Sequence, residues 1–194
     1  MLDRDTGDDP LPLAVSDAGP LIHLAQINGL FLLEKLFKVV LITSGVKREV
    51  VDMGVEHGYD DALIVRRAID EGWVTIKDIT EMMASTAERL AEDENISRSD
   101  AQTLLLAREN DVESILIDDK ILSDLAKMHG FKVWNTWTIL LEALRNGFIE
   151  ISEIESAINE LADRRHKLKA EQAAKILEAA RLIVSDREER RQRL

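Results

Sequence analysis

The chain predicts an α/β fold, with a central parallel twisted sheet flanked by helices and a C-terminal helical extension. Three observations predict it. Short apolar runs of strand length alternate with helical patterns from residue 13 to residue 134, the signature of parallel β-α-β units. The length, 194 residues, suits one α/β domain with a short appendage. From residue 151 onward only helical spacing remains. The expected organisation is a flexible acidic arm over 1–12, the α/β domain over 13–150 and the extension over 151–194.

Residues 1–12 are polar, with Gly7, Pro10 and Pro12. Leu13–Ser16 reads as a buried strand, and Pro20 suits the first residue of the next helix. Leu21–Ile27 and Leu30–Phe37 are helical and split by Asn28-Gly29, followed by a strand at Val39–Ile42 and a helix at Ser44–Met53. Asp60–Glu71 forms a helix closed by Gly72, before a strand at Trp73–Ile76. Helices at Glu81–Ala91 and Ser97–Asn110 precede a strand at Ser114–Ile117. A helix at Lys120–His129 stops at Gly130, and Phe131–Trp134 is the last strand. In the extension Leu161, Leu168, Ile176, Leu177, Ala180 and Ile183 form an apolar stripe flanked by Arg and Lys.

Composition removes several functions. There is no cysteine, which excludes disulfides, thiol catalysis and cysteine-held metal clusters and fits a reducing cytoplasm. Aromatic residues make up only 4%, too few for a broad base-stacking platform. The acidic start, Met1-Leu2-Asp3-Arg4-Asp5, is unlike a signal peptide, and no apolar run approaches membrane-spanning length. Residues 1–162 hold 15 Lys/Arg against 31 Asp/Glu, a net of −16, while residues 163–194 hold 10 against 6, a net of +4. An acidic body opposes simple electrostatic capture of nucleic acid. It is compatible with an acidic pocket that works when filled with cations. Glycine-rich nucleotide-binding motifs are absent, and His23, His57, His129 and His166 lie in no nucleophile motif, so each reads as a surface or helix-end residue. Trp73, Trp134 and Trp137 read as core or interface anchors.

Ligands of an open parallel sheet bind beyond the carboxyl ends of its strands. The first strand ends in Ser16-Asp17 and the fourth in Asp118-Asp119. Glu49 shares helical spacing with Val46, Val50 and Met53, which predicts a carboxylate on an apolar face, costly unless paired or bound to a cation. Asp100 opens an apolar helix, although it also completes a capping box with Ser97. Asp17 could close a turn, and Asp119, or less easily Asp118, could cap the helix at Lys120. Convergent carboxylates without matching Lys or Arg suit a hard divalent cation, which prefers oxygen ligands.

Ser16-Asp17-Ala18-Gly19-Pro20-Leu21-Ile22, Val46-Lys47-Arg48-Glu49-Val50, Ser99-Asp100-Ala101 and Leu116-Ile117-Asp118-Asp119-Lys120 together resemble the four acidic blocks of PIN domains. The likeness spans about residues 13–160, and the nearest subgroup has a Ser-Asp-x-x-Pro-Leu-Ile opening and an Ile-Asp-Asp block. It implies the three-layer PIN-like fold and a Mg²⁺- or Mn²⁺-dependent endoribonuclease, often the toxin of a VapC-type toxin–antitoxin pair. By this resemblance Asp17, Glu49, Asp100 and Asp119 are the catalytic and metal-binding residues. Asp118 is a further metal ligand, and Ser16 and Thr136 support them. The implied partners are single-stranded or structured RNA and an antitoxin protein. Two positions depart from the pattern: Gly19 stands where most PIN domains carry Ser or Thr, and Asn135-Thr136 replaces a Gly-Thr pair. These departures motivate an alternative, a catalytically weak or inactive PIN-fold binding module. The extension is expected to bury its stripe against a domain surface, most naturally across a homodimer.

Overall fold

The computed structural model describes residues 11–164 and 166–192; of the arm expected over 1–12, residues 1–10 lie outside the described residues, while Leu11 and Pro12 belong to the first strand. Five parallel strands form one sheet in the order β3-β2-β1-β4-β5. They are β1 (Leu11–Ser16), β2 (Phe37–Ile42), β3 (Val74–Ile76), β4 (Ser114–Leu116) and β5 (Lys132–Trp134). β1 is central, with Ala14 opposite Val40 on one side and opposite Ser114 on the other. The chain winds outward from β1 to β3, then crosses back to β4 and β5. Strand order therefore reverses between β1 and β4, which fixes where a ligand crevice opens.

Strand residues alternate between two cores. Ala14, Val40, Ile42, Leu116 and Trp134 face one layer of helices. That layer contains α1 (Ala18–Gln26), α2 (Phe31–Leu36), α5 (Asp60–Asp70), α9 (Thr136–Arg145), α10 (Ile151–Asp163) and α11 (Ala170–Gln192). Val15, Leu41, Ile115 and Ile117 face the other layer, formed by α7 (Arg98–Glu109) and α8 (Lys120–Met128), with α6 (Glu81–Glu94) packed against α7. The result is a three-layer, PIN-like α/β architecture with a C-terminal helix.

Several boundaries differ from the sequence expectation. β1 starts two residues earlier, at Leu11. Pro20 is the third residue of α1 rather than the first; the first-turn N–H groups have no intrahelical acceptor, so proline costs nothing there. The single helix expected over Ser44–Met53 is broken. α3 covers only Ser44–Lys47, a π-helical turn follows at Arg48–Met53, and α4 is Gly54–Glu56. The wider turn rotates the residues after Lys47, so Val50 and Val51 are buried while Met53 and Glu49 face outward. Glu49 therefore does not sit on the apolar face.

The extension is not continuous helix, because residues 164–169 separate α10 from α11. Its stripe is buried within the same chain. Ala180 and Ile183 are buried, with Ile176, Leu177 and Val184 packed beside them, against the core that includes Leu140, Ala143 and Leu144 of α9. Trp134 is buried, donates to Ser114 Oγ at 3.2 Å and meets Phe37 edge-on, as expected of a core anchor. Among the described residues no helix is long and apolar enough to cross a membrane.

Candidate active site

The reversal point between β1 and β4 carries the first carboxylate. Asp17 follows the last residue of β1, its N–H bonds the Leu116 carbonyl at 3.0 Å, and it stands at the N-cap of α1. Ser16 behind it is fully buried, and its hydroxyl donates to the Asp17 carbonyl at 2.8 Å, fixing the turn rather than the carboxylate. Protein surrounds most of the Asp17 side chain, although the residue keeps a partial opening to solvent. Burial pushes its carboxyl up to about 6, the N–H groups of Ala18 and Gly19 oppose the shift, and the negative charges of Asp100 and Glu49 add to it. Among the described residues, the groups that shift Asp17 include no Lys or Arg that would hold it ionised.

Glu49 reaches the same region from the π-helical turn, a distortion that recurs at functional sites. Partial burial and the charge of Asp100 push its carboxyl above the ordinary range as well. Asp100 is in the first turn of α7, where the capping box is formed: Ser97 N–H donates to Asp100 Oδ2 at 3.1 Å, and Asp100 N–H donates to Ser97 Oγ at 3.0 Å. The cap and the electrostatic role coexist, since one carboxylate oxygen carries the cap. The neighbouring Ser99 hydroxyl is buried without a partner, and a side chain at Gly45 of α3 would meet it at 3.2 Å. α3 and α7, which lead to Glu49 and Asp100, are thus closely apposed.

The fourth block divides differently from the sequence expectation. Asp119 is exposed and caps α8, accepting from Leu122 N–H at 2.9 Å. It takes its helix-capping role and turns away from the crevice. Asp118 turns in. Its Oδ1 accepts from Thr136 N–H at 2.8 Å, and its Oδ2 accepts from Thr136 Oγ at 2.7 Å and faces His23 Nδ1 at 2.6 Å. An ionised carboxylate only accepts, so His23 Nδ1 carries the hydrogen. Of about four acceptor sites on this carboxylate three are used, which leaves one on Oδ1. Asp118 also sits at the N-terminus of α9, where the helix dipole favours a negative charge.

His23, read from sequence as a helix-end residue, is therefore a partner of Asp118. His166, in the segment between α10 and α11, packs edge-on against it with ring centroids 4.1 Å apart. Burial and His23 hold the His166 ring below the ordinary histidine range, against a smaller opposing pull from Asp118. Spacing alone does not reveal this pair, because it joins positions 143 residues apart (166 − 23).

Both departures from the family pattern have local roles. A Cβ at Gly19 would lie 3.2 Å from Asp118 Cβ, so the glycine makes room for Asp118 beside the turn after β1. Asn135 caps α9, accepting from Thr138 N–H at 2.9 Å, and leaves Thr136 to hold Asp118.

The donor set is all oxygen, and the like charges around Asp17 gather without a balancing Lys or Arg among the described residues, which suits a hard divalent ion. Among the described residues, no group of three or more Asp, Glu or His side chains is arranged to hold such an ion as the side chains stand. Asp17, Glu49 and Asp100 share one electrostatic neighbourhood, and Asp118 borders it across Gly19.

A family model described as PIN domain matches residues 13–181. No curated protein matches the chain. Among solved structures, the crystal structure of PAE2754 from Pyrobaculum aerophilum is similar at 16% identity, over 68% of this chain and 97% of that one, with a TM-score of 0.45.

Proposed function

Since the chain belongs to the PIN-domain family, whose members are in general nucleases, we propose that it is a metal-dependent endoribonuclease. The observation that carries this reading is Asp17: a carboxyl at the reversal point of the sheet, raised by burial and by Asp100 and Glu49, with no basic side chain among the described residues that offsets it. That is the electrostatic signature of a cation site.

Asp17, Glu49 and Asp100 would hold the ion, Mg²⁺ or Mn²⁺, with Asp118 completing the set in place of Asp119. A bound divalent ion supplies Lewis-acid polarisation of the scissile phosphate and a more acidic attacking water. The chain's own groups set the stage. Thr136 and His23 fix the Asp118 carboxylate by three contacts, so its remaining acceptor position has a defined direction. The capping box holds the backbone of Asp100, and the π-helical turn presents Glu49 outward. The second reading, a binding module without catalysis, loses much of its motivation because Gly19 and Asn135 are accommodated rather than disruptive.

The test is cleavage of a 5′-labelled single-stranded RNA by purified protein with Mn²⁺. Cleavage should disappear with a chelator and with Asp17→Asn, and survive Asp119→Asn, provided that variant stays folded. Cleavage by Asp17→Asn at the rate of the unaltered protein rejects the assignment.

A further inference from the structure

One cavity adjoins the carboxylates without belonging to them. It has a volume of about 230 Å³ and is bordered by Glu49 and Met53 of the π-helical turn, Ile22 and Gln26 of α1, and His57 and Tyr59 beyond α4. At that size it falls below the roughly 300–1,000 Å³ of sites for drug-sized ligands, so it suits a single planar ring.

Its walls have a particular chemistry. The His57 and Tyr59 rings stack, with centroids 5.8 Å apart and an interplanar angle of 14°. Tyr59 is 57% exposed, which leaves a large aromatic surface that none of the described residues covers. His57 Nδ1 lies 2.6 Å from the Met53 carbonyl; a carbonyl only accepts, so the hydrogen is on Nδ1, and Nε2 accepts whenever the ring carries one proton. Gln26 lines the cavity, and its Oε1 is buried with no hydrogen-bond partner, so it would meet a ligand donor once the side chain turns toward the cavity. Asp61, at the start of α5, adds a carboxylate to the rim. An aromatic shelf with acceptors around it, opening beside a catalytic carboxylate, matches a nucleobase with a donor on its edge.

We propose that this cavity receives one unpaired nucleobase of the RNA, adjacent to the scissile phosphate, stacked on Tyr59 and hydrogen-bonded through an exocyclic amino group to the acceptors at Gln26, His57 and Asp61. The inference rests on the nuclease reading for its substrate. It adds that the cleavage site is chosen partly by base, with adenine or cytosine preferred over uracil, whose edge lacks the amino group. Stacking supplies affinity with little sequence demand, and the acceptors supply the discrimination.

The experiment separates the two readings. Adenosine, cytidine and uridine are titrated into the full chain without metal, while ring signals of Tyr59, the chain's single tyrosine, and of His57 are followed by NMR. Adenosine or cytidine should move both sets of signals and bind more tightly than uridine. Tyr59→Phe should preserve binding, whereas Tyr59→Ala should weaken it about 5- to 150-fold. Circular dichroism of each variant checks folding. In the cleavage assay, Tyr59→Ala should raise KM on RNA, and an abasic residue next to the cleaved bond should have the same effect on the unaltered protein. Undisturbed Tyr59 and His57 signals, or equal affinity in Tyr59→Ala, overturn the proposal and leave the patch as a protein-facing surface. Nucleoside binding in a protein that never cuts RNA rejects the nuclease reading alone, because this arm involves neither metal nor cleavage.

Discussion

A carboxyl whose ionisation is opposed by its surroundings costs stability once it loses its proton. Asp17 is the main case, with its folded value near 6 against an ordinary 3.8, and Glu49 shifts in the same direction. Between about pH 4 and 6 the folded chain therefore binds more protons than the unfolded chain, and stability falls as pH rises through that window. Discounting the shift for the partial solvent opening of Asp17 leaves about 2 kcal/mol. Metal-free Asp17→Asn should accordingly be more stable than the parent at pH 7 by about that amount and should lose most of the advantage at pH 4, as measured by urea denaturation. A variant less stable at both pH values would show that Asp17 serves the fold. The same scale shows what the sequence could tell. Asp17 and Asp100 were legible because one follows a strand and the other opens a helix, whereas the spacing of Glu49 suggests an apolar face that the π-helical turn does not give it. The choice between Asp118 and Asp119 was legible in principle: counting by two from Leu116, which faces the α1 and α9 layer, assigns Asp118 to that layer. His23 was not legible, because its partner comes from a distant strand end.

The helices show where periodicity stops being a guide. Val46, Val50 and Val51 suit one regular helix, and nothing in their spacing announces the widened turn that redirects Glu49 and creates the wall of the base-sized cavity. That turn packs with α1 and α5, contacts that local sequence does not encode. The amphipathic stripe of α11 was legible, whereas its partner surface was not. Its burial is internal, and Arg187 fastens the helix by donating from Nη1 to the Leu144 carbonyl, near the end of α9, at 2.8 Å. Gly147, at φ +77°, passes so close that a Cβ there would lie 2.9 Å from Arg187 Nη2. Arg187→Ala should therefore cost about 1–2 kcal/mol, because it leaves a helix-end carbonyl without its charged donor. In a chain of this size that lowers the melting temperature by roughly 2–8 °C in a thermal scan. An unchanged melting temperature would mean that water replaces the arginine at no cost.

Across the molecule, charge opposes the proposed substrate. The region up to residue 162 is at −16 and the rest at +4, so most of the chain repels a polyanion. Proteins that bind through many phosphate contacts lose about 10³- to 10⁵-fold in affinity between 50 and 200 mM salt. This chain, with an RNA bearing a non-cleavable linkage and no divalent ion, should lose less than about 10-fold over that range by fluorescence anisotropy. A steep loss would point to a basic RNA-binding arm in the C-terminal region. Strand order has a further consequence, and it concerns time. β1 pairs with β2 soon after both are made, but its other edge waits for β4, a hundred residues later at Ser114 (114 − 14). At translation speeds of about 5–20 residues per second, that edge stays open for several seconds. Closing it is a long-range step, the slow kind in folding. A half-made chain thus carries Asp17 and Glu49 with neither Asp118 nor Thr136 beside them. On the nuclease reading proposed above, the site would therefore stay incomplete on the ribosome until synthesis has passed the last strand.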